Sequence, residues 1–172
     1  GLLGHFVGDA GQPFHNTADY DGYGSGHGGI HSYYEEAVVS QADADLEAKI
    51  AQEARRLGRE AFLDAKKTTL ERMRALSTVS ASEIAGLLAK DPVKVKSEAK
   101  KEKGMDLRKA AEREPPQTGW KKLGPSIIKQ MARSARLLAQ LSRDHIVAVG
   151  ARGGHHWQGH RLGERAQHLH IA

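Results

Sequence analysis

The chain has 172 residues, a formal net charge of +5, 39% apolar and 27% charged residues, and no cysteine. That length suits one domain, and the lack of cysteine excludes disulfides and thiolate metal sites, so any zinc must be held by His, Asp and Glu. No apolar run approaches the ~20 residues of a membrane-spanning helix, and the chain is polar yet too apolar to be wholly disordered.

Residues 1–10 read as the end of a helix with Leu2, Leu3, Phe6 and Val7 turned to a core. Pro13 ends or kinks it. Residues 16–29 form a glycine-rich loop in which Asp19, Asp21 and His27 read as turn residues and a solvated side chain. A helical pattern begins near Ile30 and runs through Leu46, Ile50, Leu57 and Phe62 to about Leu76. Its length predicts a break near Gln41 or Gly58. Ser80-Ala81-Ser82-Glu83 has capping-box spacing and predicts a short helix to about Lys90, stopped by Asp91-Pro92. Residues 94–103 read as a charge-rich connector and 105–113 as one short helix. Pro115, Pro116 and Gly119 mark a loop, and Pro125 opens a last helix that ends near Val149. No alternating apolar pattern exceeds four residues, so the expected class is all-α. Residues 150–172, with five histidines and five glycines, read as a disordered tail that collects metal only adventitiously.

Charge is divided unevenly. Residues 1–40 hold Asp9, Asp19, Asp21, Glu35 and Glu36 and no Lys or Arg, a charge of −5, while the rest carries +10. Four histidines, His5, His15, His27 and His31, fall in the acidic part. Carboxylates and imidazoles without a positive side chain suit a cation. His5 and Asp9 are four apart on a predicted helix, as are His31 and Glu35, so each pair shares a face and can grip one ion. His15 follows the turn at Pro13. One such pair on its own is more often an ordinary surface pair; two pairs and a histidine at a turn make a metal site a competing reading.

The segment His5-Phe6-Val7-Gly8-Asp9-Ala10-Gly11-Gln12-Pro13-Phe14-His15 resembles the H-x-x-x-D-x-x-Q-P-x-H signature of the zinc-dependent phospholipase C and single-strand-specific nuclease superfamily. His31-Ser32-Tyr33-Tyr34-Glu35 resembles its second H-x-x-x-E element, closer to the bacterial phospholipase C side. The likeness covers about residues 1–40. It implies an all-α, multi-helix zinc fold, of which residues 1–149 would be the C-terminal part, without the N-terminal half. It also implies three zinc ions, with His5 and Asp9 matching ligands of a close metal pair that Asp9 bridges, and His15, His31 and Glu35 matching the full protein ligand set of the third. The remaining ligands and the general base would lie upstream, so no catalytic base is assigned. Phe14, Tyr20, Tyr33 and Tyr34 are candidates to line a substrate cleft, with core packing the competing reading for Phe14 and one tyrosine. The glycine-rich loop lacks the Lys-Ser/Thr ending of a P-loop.

The reading that follows is a zinc-dependent hydrolase of phosphoric esters, phospholipase C-like or nuclease-like, with a phospholipid or nucleic acid substrate. The family's habit implies a secreted or periplasmic address, and the chain alone is expected to be weak or inactive. Two alternatives remain. One is a basic helical module that grips polyanions through the +10 segment, disfavoured for nucleic acids because that half has almost no aromatic side chains. The other is a non-catalytic remnant that binds one zinc.

Overall fold

The computed structural model describes residues 2–102 and 105–153. The first helix, α1 (Leu2–Gly11), buries Val7, Ala10 and Gly11. Leu2, Leu3 and Phe6 are instead 72%, 39% and 53% exposed, so the predicted core face is limited to Val7. Pro13 cannot donate to the helix and starts a 3-10 turn, Pro13–Asn16. Asn16 Nδ2 reaches back to the carbonyls of Ala10 at 3.2 Å and Gln12 at 2.7 Å, partnering backbone oxygens that the end of α1 leaves free.

The glycine-rich loop is ordered by its own polar groups. The Asp19 carboxylate accepts from the amides of Gly24 and Ser25 at 2.9 and 3.0 Å, as a turn residue should. Gly29, at φ +80°, then turns the chain into α2 (Ile30–Ser32). An L side chain there would be strained. This helix widens into a π-helical turn, Tyr33–Val38, and closes as a 3-10 turn, Val39–Gln41. Ile30, Tyr34 and Val38, four apart, point into the core.

The long helical pattern breaks at both predicted places. Helix α3 (Leu46–Arg56) lies on the surface with no fully buried residue. A 3-10 turn, Ala61–Leu63, inserts Phe62 into the core. Helix α4 (Thr69–Ser82) opens with a complete capping box between Thr68 and Glu71. The capping box expected at Ser80 is not used: Ser80 is fully buried near the end of α4 and donates to the Gly11 carbonyl at 3.1 Å. Helix α5 (Ile84–Lys90) follows directly, and Asp91-Pro92 ends it as expected.

The all-α expectation is corrected at residues 93–113. Strands β1 (Val93–Val95) and β4 (Glu112–Arg113) pair antiparallel, as do β2 (Glu98–Glu102) and β3 (Met105–Lys109). The predicted connector and short helix are therefore two small ribbons on a mainly helical body. Every residue of β2 is exposed, so neither face needs an apolar set and the alternation that betrays a strand never develops.

The last helix, α6 (Pro116–Gly153), starts inside the segment expected to be a loop and runs through Pro125. Pro125 removes one helical hydrogen bond. Gly119 lets α6 approach the π turn: a Cβ there would lie 2.8 Å from Val38 Cγ2 and closer still to Tyr33 Oη. Two core clusters lie along α6. Leu123 and Ile127 meet Phe14, Ile30, Tyr34, Val38 and Leu87. Leu137 and Leu141 meet Val7, Ala10, Phe62 and Leu76. Each fully buried side chain of this kind contributes roughly 1.5–3 kcal/mol. The helix continues past the expected end at Val149, and the expected tail from 154 onward lies outside the described residues. Among the described residues no helix is long and apolar enough to cross a membrane.

One buried polar clasp ties the glycine-rich loop to the ribbons. The Asp91 side chain, 0% exposed, accepts from His27 Nδ1 at 2.8 Å and from Arg113 Nε and Nη2 at 2.8 and 3.0 Å. Arg113 also donates to the carbonyls of His27 at 2.6 Å and Gly28 at 3.1 Å, and covers the Tyr33 ring at 4.8 Å. His27 is therefore a clasp residue, not the solvated loop side chain its sequence context suggests. Burial, and then the Asp91 charge, hold the Tyr33 phenol above its ordinary pKa.

Candidate metal centre

Three donor residues meet where the Pro13 turn faces the start of α2. In each case the donor follows a buried anchor by one residue: Phe14 precedes His15, Ile30 precedes His31, and Tyr34 precedes Glu35. The anchors point into one core cluster, and the next side chain along is thereby turned outward. Three core anchors thus turn three neighbouring donor side chains toward one another. The turn itself is held by Gln12, whose side-chain oxygen accepts from the Phe14 amide.

The donor atoms are close. His15 Nε2 and His31 Nε2 lie 3.0 Å apart, His15 Nε2 is 3.3 Å from Glu35 Oε1, and His31 Nε2 is 3.0 Å from Glu35 Oε2. Tetrahedral bonds of ~2.0–2.1 Å place neighbouring donors roughly 3.3–3.4 Å apart. Two imidazole nitrogens and a carboxylate at this spacing suit zinc in chemistry and size. The three side chains are between a quarter and two-fifths exposed, so an ion there would be open to solvent on one side.

A second layer of polar groups orients these donors. Asp9 Oδ1 lies 3.1 Å from His15 Nδ1, the nitrogen that faces away from the triad. Such a carboxylate fixes the imidazole tautomer and the orientation of the ring. Gln12 Nε2 donates to Glu35 Oε1 at 2.9 Å. His5, an exposed side chain, reaches the other oxygen of Asp9 at 3.3 Å. The rings of His15 and His31 meet edge to face at 4.9 Å, and the exposed Tyr20 ring stands 5.9 Å from His31.

Among the described residues, the set of three donors brought within reach of one ion is His15, His31 and Glu35. His5 and Asp9 adjoin that set, with Asp9 placed as an orienting partner of His15. Phe14 does not line a cleft: it is 1% exposed and packs edge-on against Tyr34 at 5.4 Å, so core packing is its role. Tyr33 is engaged by Arg113. Tyr34 is buried but borders a cavity of about 430 Å3 beside the triad. Asp9, His15 and Glu35 form one edge of that cavity, and Val39, Ile127 and Met131 help form its apolar wall. Burial, then the charges of Glu83 and Glu35, hold the Tyr34 phenol above its ordinary pKa, so it stays neutral. Gln12 belongs to the recognisable segment, but nothing in its type or local spacing announces that it meets Glu35, 23 residues away. No family model, curated protein or solved structure matches the chain.

Proposed function

We propose that this chain carries a zinc-dependent centre for the hydrolysis of phosphoric esters, with His15, His31 and Glu35 holding the ion. The observation that supports this reading is the triangle of donors with 3.0–3.3 Å edges. Zinc held by three protein donors supplies a bound water of lowered pKa and a positive charge against a phosphoryl oxygen. The chain's own groups do the rest. Asp9 keeps a proton on His15 Nδ1, so that Nε2 presents its lone pair. Gln12 holds one carboxylate oxygen of Glu35 in place. The adjoining cavity offers a partly dry wall beside the ion. His5 and Asp9 add two donors next to the triad, too few for a complete second ion site, so turnover by this chain alone is expected to be slow.

The test begins with metal content after dialysis. About one equivalent of zinc is expected, lost in His15→Ala and in His31→Ala, together with hydrolysis of bis(p-nitrophenyl) phosphate. Zinc retention indifferent to both substitutions would sink the reading. Zinc retained without any hydrolysis would leave a structural ion, and salt-sensitive polyanion binding without zinc would favour the basic module instead.

A further inference from the structure

A separate cavity, of about 750 Å3, opens on another side of α6. Its α6 wall carries Arg136 and Arg143, whereas Ile127, Met131 and Ser134 border the cavity beside the triad. At about 100° per residue the two sets stand roughly half a turn apart around the helix. The segment between α3 and α4 brings Arg59 and Lys67 to the same cavity. Among the described residues none of these four cations forms an ion pair. Lys67 and Arg136 are half-buried. Arg136 Nη1 makes one long contact, 3.5 Å to the Ala54 carbonyl, which engages one of five guanidinium donors. The carboxylates close to these cations are engaged elsewhere. Asp64 Oδ1 accepts from the Lys66 amide at 3.0 Å, Glu71 closes the cap with Thr68, and Asp144 pairs with Arg72. Even with Asp64 counted beside Glu60, the lining holds four cations against two carboxylates. Half-buried cations without counter-charges repel one another where water screens them less, and an anion in the cavity relieves that repulsion.

We infer that this cavity binds a small chain of linked phosphate groups. Three of its four cations are arginines, whose fork matches two phosphate oxygens at once. Arg136 and Arg143 are seven residues apart, about 10 Å along the helix axis. Positive charge is therefore offered along a line, which suits two or three linked phosphates better than one. No aromatic side chain lines the cavity, so it gives a nucleobase nothing to stack on. A Cβ on Gly58, which also lines it, would meet nothing within 4 Å, so the cavity is open at that residue. The site stands apart from the metal centre and does not rest on the hydrolase reading.

The experiment titrates tripolyphosphate, orthophosphate and citrate into the zinc-free full chain by calorimetry, and follows tripolyphosphate by backbone amide NMR. Tripolyphosphate should bind about tenfold more tightly than orthophosphate or citrate. It should shift the signals of Gly58, Lys67 and Gln140 and leave those of His15 and Glu35 in place. Arg59→Gln combined with Arg143→Gln, both at exposed positions, should weaken tripolyphosphate about tenfold. Lys90→Gln combined with Lys122→Gln removes the same charge from exposed positions elsewhere and should change binding less than about twofold. If the first double variant does not fold, the map of shifted signals in the parent decides. No binding, equal loss in the two double variants, a preference for citrate, no gain over orthophosphate, or signals that move across the whole basic surface overturns the site. Tripolyphosphate binding at these residues by a chain that takes up no zinc keeps the site and removes only the metal reading.

Discussion

The amide of Gln12 joins two segments of chain that a metal would need to hold together. Its oxygen accepts from the Phe14 amide in the turn that presents His15, and its nitrogen donates to Glu35 on the π turn. Removing such a second-layer partner typically weakens a metal site 10–100-fold. Gln12→Ala is therefore expected to lower zinc affinity by about that factor in a chelator competition, while far-UV circular dichroism stays the same. An unchanged affinity would show that Glu35 needs no help. The candidate donor types were readable, because imidazoles and carboxylates without nearby cations stand out in the first 40 residues. The supporting contacts were not. Glu35 lies 23 residues from Gln12, and Asp91 lies 64 residues from His27, so no local pattern pairs them. Phe14 and His15 show the same limit from the other side: adjacent in sequence and both plausible at a site, they are divided by the turn into an anchor and a donor.

Elements were legible where a single helix face decides, and less so where two equal local signals compete. Thr68-x-x-Glu71 and Ser80-x-x-Glu83 carry the same capping pattern, and only the first is used, because Ser80 and Leu76 of α4 are drawn into the interior. Thr68→Ala is expected to destabilise the fold by about 0.5–2 kcal/mol in urea unfolding, whereas a Ser80 substitution should act through the buried contact to Gly11. The cap is also acid-sensitive. The Thr68 amide, aided by its hydroxyl, holds the Glu71 carboxyl below the usual glutamate pKa. A depressed carboxyl stabilises the folded state above its unfolded-state pKa and loses that contribution as pH falls through the lowered value. The stability difference between the parent and Glu71→Gln should accordingly be present at pH 7 and vanish in strong acid. A difference that persisted there would point to packing, not charge. The ribbons escaped notice for a different reason: β2 and β3 pair through backbone groups, with charged side chains along both strands.

Across the whole molecule, α6 supplies one edge of both core clusters, and the Asp91 clasp supplies a long-range polar tie between the glycine-rich loop and the ribbons. Asp91→Asn would leave the Arg113 guanidinium, 7% exposed, without its counter-charge. Breaking a buried pair in this way costs about 3–5 kcal/mol, so the midpoint of urea unfolding should fall sharply. A near-neutral result would mean that the carbonyls of His27 and Gly28 suffice for Arg113. The wide turn from Tyr33 to Val38 matters at this scale too. Tyr34 and Val38 are seated in the interior while Glu35 faces His15 and His31. Each residue of an ordinary helix advances the chain by about 100° around its axis. Deleting one residue between Glu35 and Val38 would therefore swing either the carboxylate or the anchor away from its present direction. Variants of this chain are expected to accept changes of length poorly in these six residues, where the spacing serves two masters at once.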